Sequence, residues 1–347
     1  RWVSYFMGLL LALILIIFFV LYGLLYSETG SRWALNKAQQ WLPLTIQQNS
    51  GTMAEELSAL NLEYRQEGLV INVNRLHYRI SDINWWQRRL VFDFIRIGRV
   101  DIQLSENQSS EKTPLPPPED IELPLSITLN ELFVEQVRIK SEGIAYGPLL
   151  AQTSLNDGVI SIANLQLLDS DIRLKTAGSV ALNNRWLFNL DTQWTYVPEK
   201  VSGRGEVTGD ITALTLQQNV HANNEYAQGE AVIDAEVTLY PDLLFDADIN
   251  SDRLLIPSAN NDQFKTTFKD IAMTAEGTLS DYHIKMQAHS SQTLTSRTTA
   301  VDKDNQKQTK TTHHNNISLV AQGDRDQLNI DSLVIDGDFG RFDAQSN

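Results

Sequence analysis

The sequence predicts a mainly β protein, with one N-terminal transmembrane helix followed by a long sheet of antiparallel type. Three observations carry that reading. Residues 3–26, VSYFMGLLLALILIIFFVLYGLLY, hold no charged side chain. From Leu57 onward the dominant period of apolar residues is two, the period of strands. No convincing run of helical period follows Pro43, so no helix is at hand to cover the apolar face of the sheet.

The first element is a membrane anchor. A helix rises about 1.5 Å per residue and the bilayer core is about 30 Å thick, so roughly 20 apolar residues span it. Tyr5 at one end, with Tyr22 and Tyr26 at the other, suits the two interfacial belts. The stretch exceeds the roughly 7–15 apolar residues of a cleavable signal peptide, and no A-x-A site follows it. Arg1 favours a cytoplasmic N-terminus, although Arg32 and Lys37 lie near the other end. The chain opens on Arg1 rather than Met and stops at Asn347 after a strand-like stretch, so it is expected to be part of a longer protein.

Residues 31–42, SRWALNKAQQWL, read as a short amphipathic helix with Ser31 as its N-cap and Pro43 as its stop. Ala34, Ala38, Trp41 and Leu42 share one face, while Lys37 and Gln40 face away. With Trp33 they form a collar beside the membrane. It is expected to lie on the lipid surface or to pack over the end of the following sheet.

Residues 43–347 are the sheet, incomplete at its C-terminal end. Trp186, Phe188, Leu190, Trp194 and Tyr196 point one way, and Asn189, Asp191, Gln193 and Thr195 the other. Ile233 and Val237 oppose Asp234 and Glu236; Phe245 and Ile249 oppose Asp246 and Asp248; Ile284 and Met286 oppose Lys285 and Gln287. Nearer the N-terminus the apolar face takes in Ile71, Val73, Ile127, Leu129, Ile172 and Leu174. Such strands have one greasy and one wet face, as in antiparallel sheets. Residues 178–191 loosely repeat at 235–248, each a strand, a tight turn and a strand ending in Asp. Two stretches break the pattern and read as loops: 105–124, charged and proline-rich, and 301–316, almost wholly polar.

Composition excludes several function classes. The chain has no cysteine, hence no disulfide, thiolate metal site or cysteine nucleophile. A net charge of −15 without a basic patch argues against nucleic-acid binding. Asp246 and Asp248 share a face as a carboxylate pair would, but on the wet side of a strand where carboxylates are common. His313 and His314 are adjacent, so on a strand they point apart, and no spaced partner ligand accompanies them. The Gly203, Gly205, Gly209 spacing is not the dinucleotide fingerprint. No nucleophile elbow, phosphate loop or H-E-x-x-H motif is present. The reading is a non-enzyme without cofactor, metal or catalytic residues.

The order of segments nevertheless carries a resemblance. The uncharged span is followed by GSRWALNKAQQWLP at 30–43 and LSALNLEYRQEGLVINVNRLH at 57–77. Then come Trp85 and Trp86, FIRIGRVDIQL at 94–104, the proline-rich stretch, and LPLSITLNEL at 123–132. Over residues 1–140 this resembles the N-terminal part of the TamB family, inner-membrane subunits of the translocation and assembly module within the AsmA-like group related to bridge-like lipid transfer proteins. The resemblance implies a sheet curled into a taco-like groove, apolar inside, running from the inner membrane across the periplasm towards an outer-membrane barrel partner of the TamA type. That partner would be engaged by a C-terminal part this chain lacks. Acyl chains of phospholipid would then cover the apolar face, and the residues named above would line the groove. By periodicity alone the same alternation also fits a closed sandwich core. The alternative function is a scaffold or chaperone for outer-membrane protein assembly and secretion, offering strand edges to nascent strands.

Overall fold

The computed structural model describes residues 20, 22–66, 68–104, 123–140, 143–182, 185–240, 243–257, 264–278, 280–297, 308–324, 327–338 and 340–345. Most of the expected span lies outside the described residues. Residues 22–26 are helical, and no helix among the described residues is long and apolar enough to cross a membrane.

Helix α1 (Glu28–Trp41) begins one turn earlier than the sequence suggests. Its cap is Ser27, whose extended backbone breaks the helix and whose hydroxyl accepts the Gly30 N–H at 3.0 Å. Ser31 is therefore not the cap. It sits inside α1, fully buried, where its hydroxyl donates towards the carbonyls of Leu24 and Leu25 and accepts the Met53 N–H at 2.9 Å. The break at Ser27 makes a tight corner, with Gly30 lying against the Gly23 carbonyl seven residues back. Gly30 has no side chain to hold the two helical segments apart, and α1 turns away from the segment before it.

The chain divides into two units, residues 1–113 with 122–169, and residues 114–121 with 170–347. The first contains β1 (Leu44–Gly51), β2 (Glu56–Gln66), β3 (Leu69–Asn84), β4 (Arg89–Leu104), β5 (Ser126–Ile139), β6 (Ile144–Tyr146), β7 (Leu149–Asn156) and β8 (Val159–Leu168). Its sheet runs β1-β2-β3-β4-β5-β7-β8, with short β6 on β5. α1 packs along the β1 edge, where the Gln39 side chain accepts the Ile46 N–H at 3.0 Å. An edge strand leaves such groups unpaired, and here the helix covers one.

One pair departs from the antiparallel expectation: β4 and β5 are parallel. Two parallel neighbours require the chain to return to the starting end between them. The connecting residues 105–122, most of the first expected loop, lie outside the described residues.

The second unit holds β9 (Ile172–Ala181), β10 (Leu187–Tyr196), β11 (Val201–Asp210), β12 (Ala213–Asn223), β13 (Gln228–Thr238), β14 (Leu244–Pro257), β15 (Phe264–Thr278), β16 (Asp281–Arg297), β17 (Gln308–Gly323), β18 (Leu328–Gly337) and β19 (Gly340–Gln345). Each pairs antiparallel with the next, a meander in strict chain order. Strand β17 corrects the second expected loop, because residues 308–316 are paired with β16. Thr309, Thr311 and Thr312 are β-branched and favour extended backbone; Thr311 and Thr312 are exposed, so polarity there reports water on the strand rather than absence of a strand.

The strands of the first unit follow a pattern richer than simple alternation. In β4 the apolar pairs are Leu90 and Phe92, Ile95 and Ile97, Val100 and Ile102; in β5 they are Ile127 and Leu129, Leu132 and Val134, Val137 and Ile139. The two sets stand in register, pair beside pair. Each step from one pair to the next skips an extra residue, so the phase shifts. Irregularities sit at those steps, at Arg79 to Asp82 of β3 and between Leu129 and Leu132 of β5. In β2 the shift from Ala59 to Leu62 passes through Asn61, which has φ 51°. In β3 the shift from Val73 to Leu76 passes Asn74, whose side-chain oxygen takes the Arg99 N–H at 2.6 Å in place of a ladder bond. A bulge re-aims the side chains that follow it, and so restores the apolar residues to one side.

Candidate functional site: the apolar face

In the second unit the registers set the apolar residues in rows across the strands. Phe188 leads through Gly209, Leu214, Val237, Phe245 and Gly277 to Tyr282. Ile233, Ile249, Met273, Met286, Leu319 and Leu333 form a second row. Ile284 belongs to a row with Ala275 and Ala247 between these two. Directly opposite residues on neighbouring strands share a face, so Phe188, Ile233, Val237, Phe245, Ile249, Ile284 and Met286 lie on one face. Leu174 joins them through its pairing with Trp194, and Ile172 through Tyr196.

That face is only half covered. Leu214, Ala288 and Ala321 are buried, whereas Phe188, Trp194, Ile233, Val237, Phe245, Ile249, Ile284 and Met286 stay half-buried and Ile172 is exposed. The strands of this unit belong to one sheet, each packed against its neighbours in the ladder. Among the described residues no helix or second sheet of the unit lies over the face, as a closed sandwich core would require.

The aromatic residues of the face lie opposite glycines. Trp194 pairs with Gly203, Phe188 with Gly209, Phe245 with Gly277, and Tyr282 with Gly277 and Gly323. A side chain at position 203 would strike the Trp194 ring, so the ring lies down over the bare backbone. The Tyr282 ring likewise lies against Gly323.

Sequence alternation missed one feature of this floor. Thr176, Thr192 and Gln218 share the face with the apolar residues, and Thr176 and Gln218 are buried. Their polar groups are spent on each other and on the backbone. The Trp194 indole N–H donates to Gln218 Oε1 at 3.3 Å, Gln218 Nε2 donates to Thr192 Oγ1 at 2.9 Å, and Thr192 donates to the Gly205 carbonyl at 3.1 Å. Thr176 donates to the Asp191 carbonyl at 2.7 Å. The knot pins the Trp194 ring flat and is satisfied internally, as a buried polar group must be. The signal was present in the sequence as polar residues on the apolar phase.

Trp186 lies just before the paired part of β10 and is half-buried. It sits in the turn before β10 with φ 51°, and its indole nitrogen is buried without a hydrogen-bond partner. In the first unit Ile71 lies beside Tyr64 and Ile102, and Val73 beside Leu62 and Val100. Ile127 and Leu129 lie beside Leu90 and Phe92. All four are half-buried. In the collar Ala34 and Ala38 are half-buried, while Trp33, Trp41 and Leu42 are exposed. Asp246 and Asp248 are exposed on the outer face, and no group of metal ligands forms among the described residues.

A short helix lying along an edge strand, followed by strand after strand with a half-covered apolar face, defines a class of proteins built on one long open β-sheet. The family model described as TamB, N-terminal domain, matches residues 15–147 and 108–347, and the chain belongs to that family. Searches of curated proteins and of solved structures give no match.

Proposed function

We propose that this chain is the membrane-proximal part of an inner-membrane-anchored, periplasmic bridge that carries phospholipid towards the outer membrane, with acyl chains on the apolar face. The observation that supports it is the set of cross-strand apolar rows from β10 to β18, which are only half-covered. Burying apolar surface is worth roughly 25 cal/mol per Å², so an uncovered face of this kind attracts an apolar occupant. Residues 3–26 supply the anchor. An outer-membrane barrel of the TamA type, reached through a further C-terminal part, completes the proposal, and no catalytic step is assigned to any residue.

The test is photocrosslinking in cells. A photoreactive residue at Val237 or Ile249 is expected to capture phospholipid, and one at Glu236 or Asp248 on the opposite face is not. Lipid on both faces, or on neither, would count against a lined conduit. Capture of nascent barrel strands instead would move the scaffold reading to first place.

A further inference from the structure

We infer that the tip of the β3–β4 hairpin is a second membrane contact, with Trp85 and Trp86 seated in the headgroup layer of the bilayer that holds the anchor. The inference rests on the anchored reading of residues 3–26 and adds to it a lipid-surface site in the folded part of the chain.

β3 and β4 are joined by the four residues Trp85–Arg88. The Asn84 side chain accepts the Gln87 N–H at 2.9 Å, the Trp85 carbonyl accepts the Arg88 N–H at 3.4 Å, and Arg88 holds φ 49°. The turn is thus closed through the backbone and Asn84 rather than through either indole ring. Trp85 is 68% exposed and Trp86 98% exposed, so neither ring is spent on the core. Tryptophan joins a large apolar body to one N–H donor, and that combination favours the boundary between membrane and water. Residues 83–92 hold Arg88 and Arg89 and no carboxylate. Arg89 is paired with Asp82 at 2.6 Å, which leaves the tip the charge of Arg88. In a chain of net charge −15, an aromatic tip without surplus negative charge is suited to an anionic lipid surface.

The fold sets this tip beside the end of the uncharged stretch. The Leu25 carbonyl accepts the Ala54 N–H at 3.1 Å, and the Glu55 carbonyl accepts the Ile80 N–H at 2.6 Å. Residues 24–25, the turn between β1 and β2, and β3 at Ile80 are therefore successive neighbours. The pairing of β2 with β3 ends at Glu56 and Arg79, yet β3 continues to Asn84. At about 3.3 Å per residue the hairpin projects roughly 16 Å past the end of β2. It projects from the same end of the sheet at which the uncharged stretch joins the folded part. Tyr26 closes that stretch, so the boundary it marks lies within a hairpin's length of the two indoles. This placement uses the point where the stretch ends and not the direction it takes.

The chain has no cysteine, so one introduced cysteine carries one environment-sensitive fluorophore. The full chain is reconstituted into vesicles of phosphatidylethanolamine and phosphatidylglycerol. Labels are placed at Gln87→Cys beside both rings, at Gln66→Cys at the opposite end of the β2–β3 pair, and at Ala12→Cys inside the uncharged stretch. Brominated lipid quenches from the bilayer and iodide from water. Bromolipid quenching is expected at positions 87 and 12, and iodide quenching alone at 66. In W85S/W86S the label at 87 is expected to pass to iodide, while W85Y/W86Y, which keeps amphipathic rings, retains most of the bromolipid quenching. Quenching at 87 that W85S/W86S leaves unchanged overturns the role of the rings. Bromolipid quenching at 12 with iodide alone at 87 overturns the hairpin contact and leaves the anchor standing. Iodide quenching at both 12 and 87 removes the anchor and this inference together. In cells, a photoreactive residue at Gln87 is expected to capture phospholipid. Capture of a protein instead would assign the tip to a protein partner and overturn the lipid surface.

Discussion

The two units reach a half-covered apolar face by different routes. In β4 and β5 the apolar residues come in pairs that repeat every five positions, with irregularities in the ladder where the phase shifts. In β10 to β13 they alternate for ten residues with little interruption, and the Trp194 ring lies over Gly203. The outer sides differ as well. The first unit is laced with ion pairs, including Arg96 to Glu131 at 3.0 Å and Arg79 to both Glu56 and Asp93, with Phe94 between the Arg79 and Arg96 guanidiniums. In the second unit carboxylates face carboxylates, as Asp234 opposite Asp248 and Asp246 opposite both Glu236 and Glu276. Like charges directly opposite are unfavourable. The first unit is thus tied together across its outer side, and the second keeps a uniform apolar floor at the expense of its outer face.

If the floor is the working surface, the largest effect comes from charging it. Ile249→Arg sits in the middle of the row from Ile233 to Leu333 and is expected to abolish phospholipid passage while the chain stays folded. Asp248→Arg, one residue away on the outer face, is expected to leave passage intact. Equal loss in both, measured as lipid delivered in cells depleted of the native chain, would break the distinction between faces. Next comes the contact of the Trp194 ring with Gly203. Gly203→Val drives a side chain into the Trp194 ring and is expected to destabilise the second unit by about 1–3 kcal/mol. Adding Trp194→Ala should recover part of that loss, because the two positions touch. Strictly additive losses in urea melts would show that the ring does not lie on Gly203.

A smaller effect tests the phase shifts of the first unit. Asn61 holds φ 51°, where a β-branched residue is strained by about 1–2 kcal/mol. Asn61→Ile is therefore expected to destabilise by that amount and Asn61→Gly to be nearly neutral, as judged by urea unfolding. An isoleucine variant as stable as the parent would mean that the backbone at this step is ordinary strand.

These differences also explain how much of the molecule was legible in its sequence. Alternation located the floor because Phe188, Ile233, Val237, Phe245, Ile249, Ile284 and Met286 each lie on a simple two-residue period. It carried the same period through Trp186, which lies in the turn before β10 and outside the paired strand. It read 308–316 as loop because no apolar residue marked a face, although the threonines favour strand. The five-residue pattern of β4 and β5 was present in the sequence but hidden by counting only alternation. The parallel pairing of β4 with β5 leaves no local mark at all, since register is a long-range choice. Ser31 was recognised as a hydroxyl near a helix start, but the corner at Ser27 that turns it from cap to keystone depends on Met53 far along the chain.

The smallest predicted effect belongs to the neighbour of that keystone and appears only in alkali. The Tyr78 hydroxyl donates to the Met53 carbonyl at 3.0 Å, and burial pushes its pKa up from 10.0 to about 12. Between those values the folded first unit keeps a proton that the unfolded chain has already released. Stability linked to Tyr78 is therefore fully present below pH 10 and falls as the pH rises towards 12. Ionisation would put a phenolate in a poorly solvated place and remove the donor that Met53 uses. Tyr78→Phe should lose about 1 kcal/mol at neutral pH, the worth of one hydrogen bond. It should also lose part of the decline between pH 10 and 12, read as urea midpoints compared with the parent across that window. A parallel decline in both proteins would place the alkaline sensitivity elsewhere and would leave Tyr78 as a packing residue alone. A flatter curve in the phenylalanine variant would instead show that the junction of α1, the β1–β2 turn and β3 is the pH-sensitive joint of the first unit.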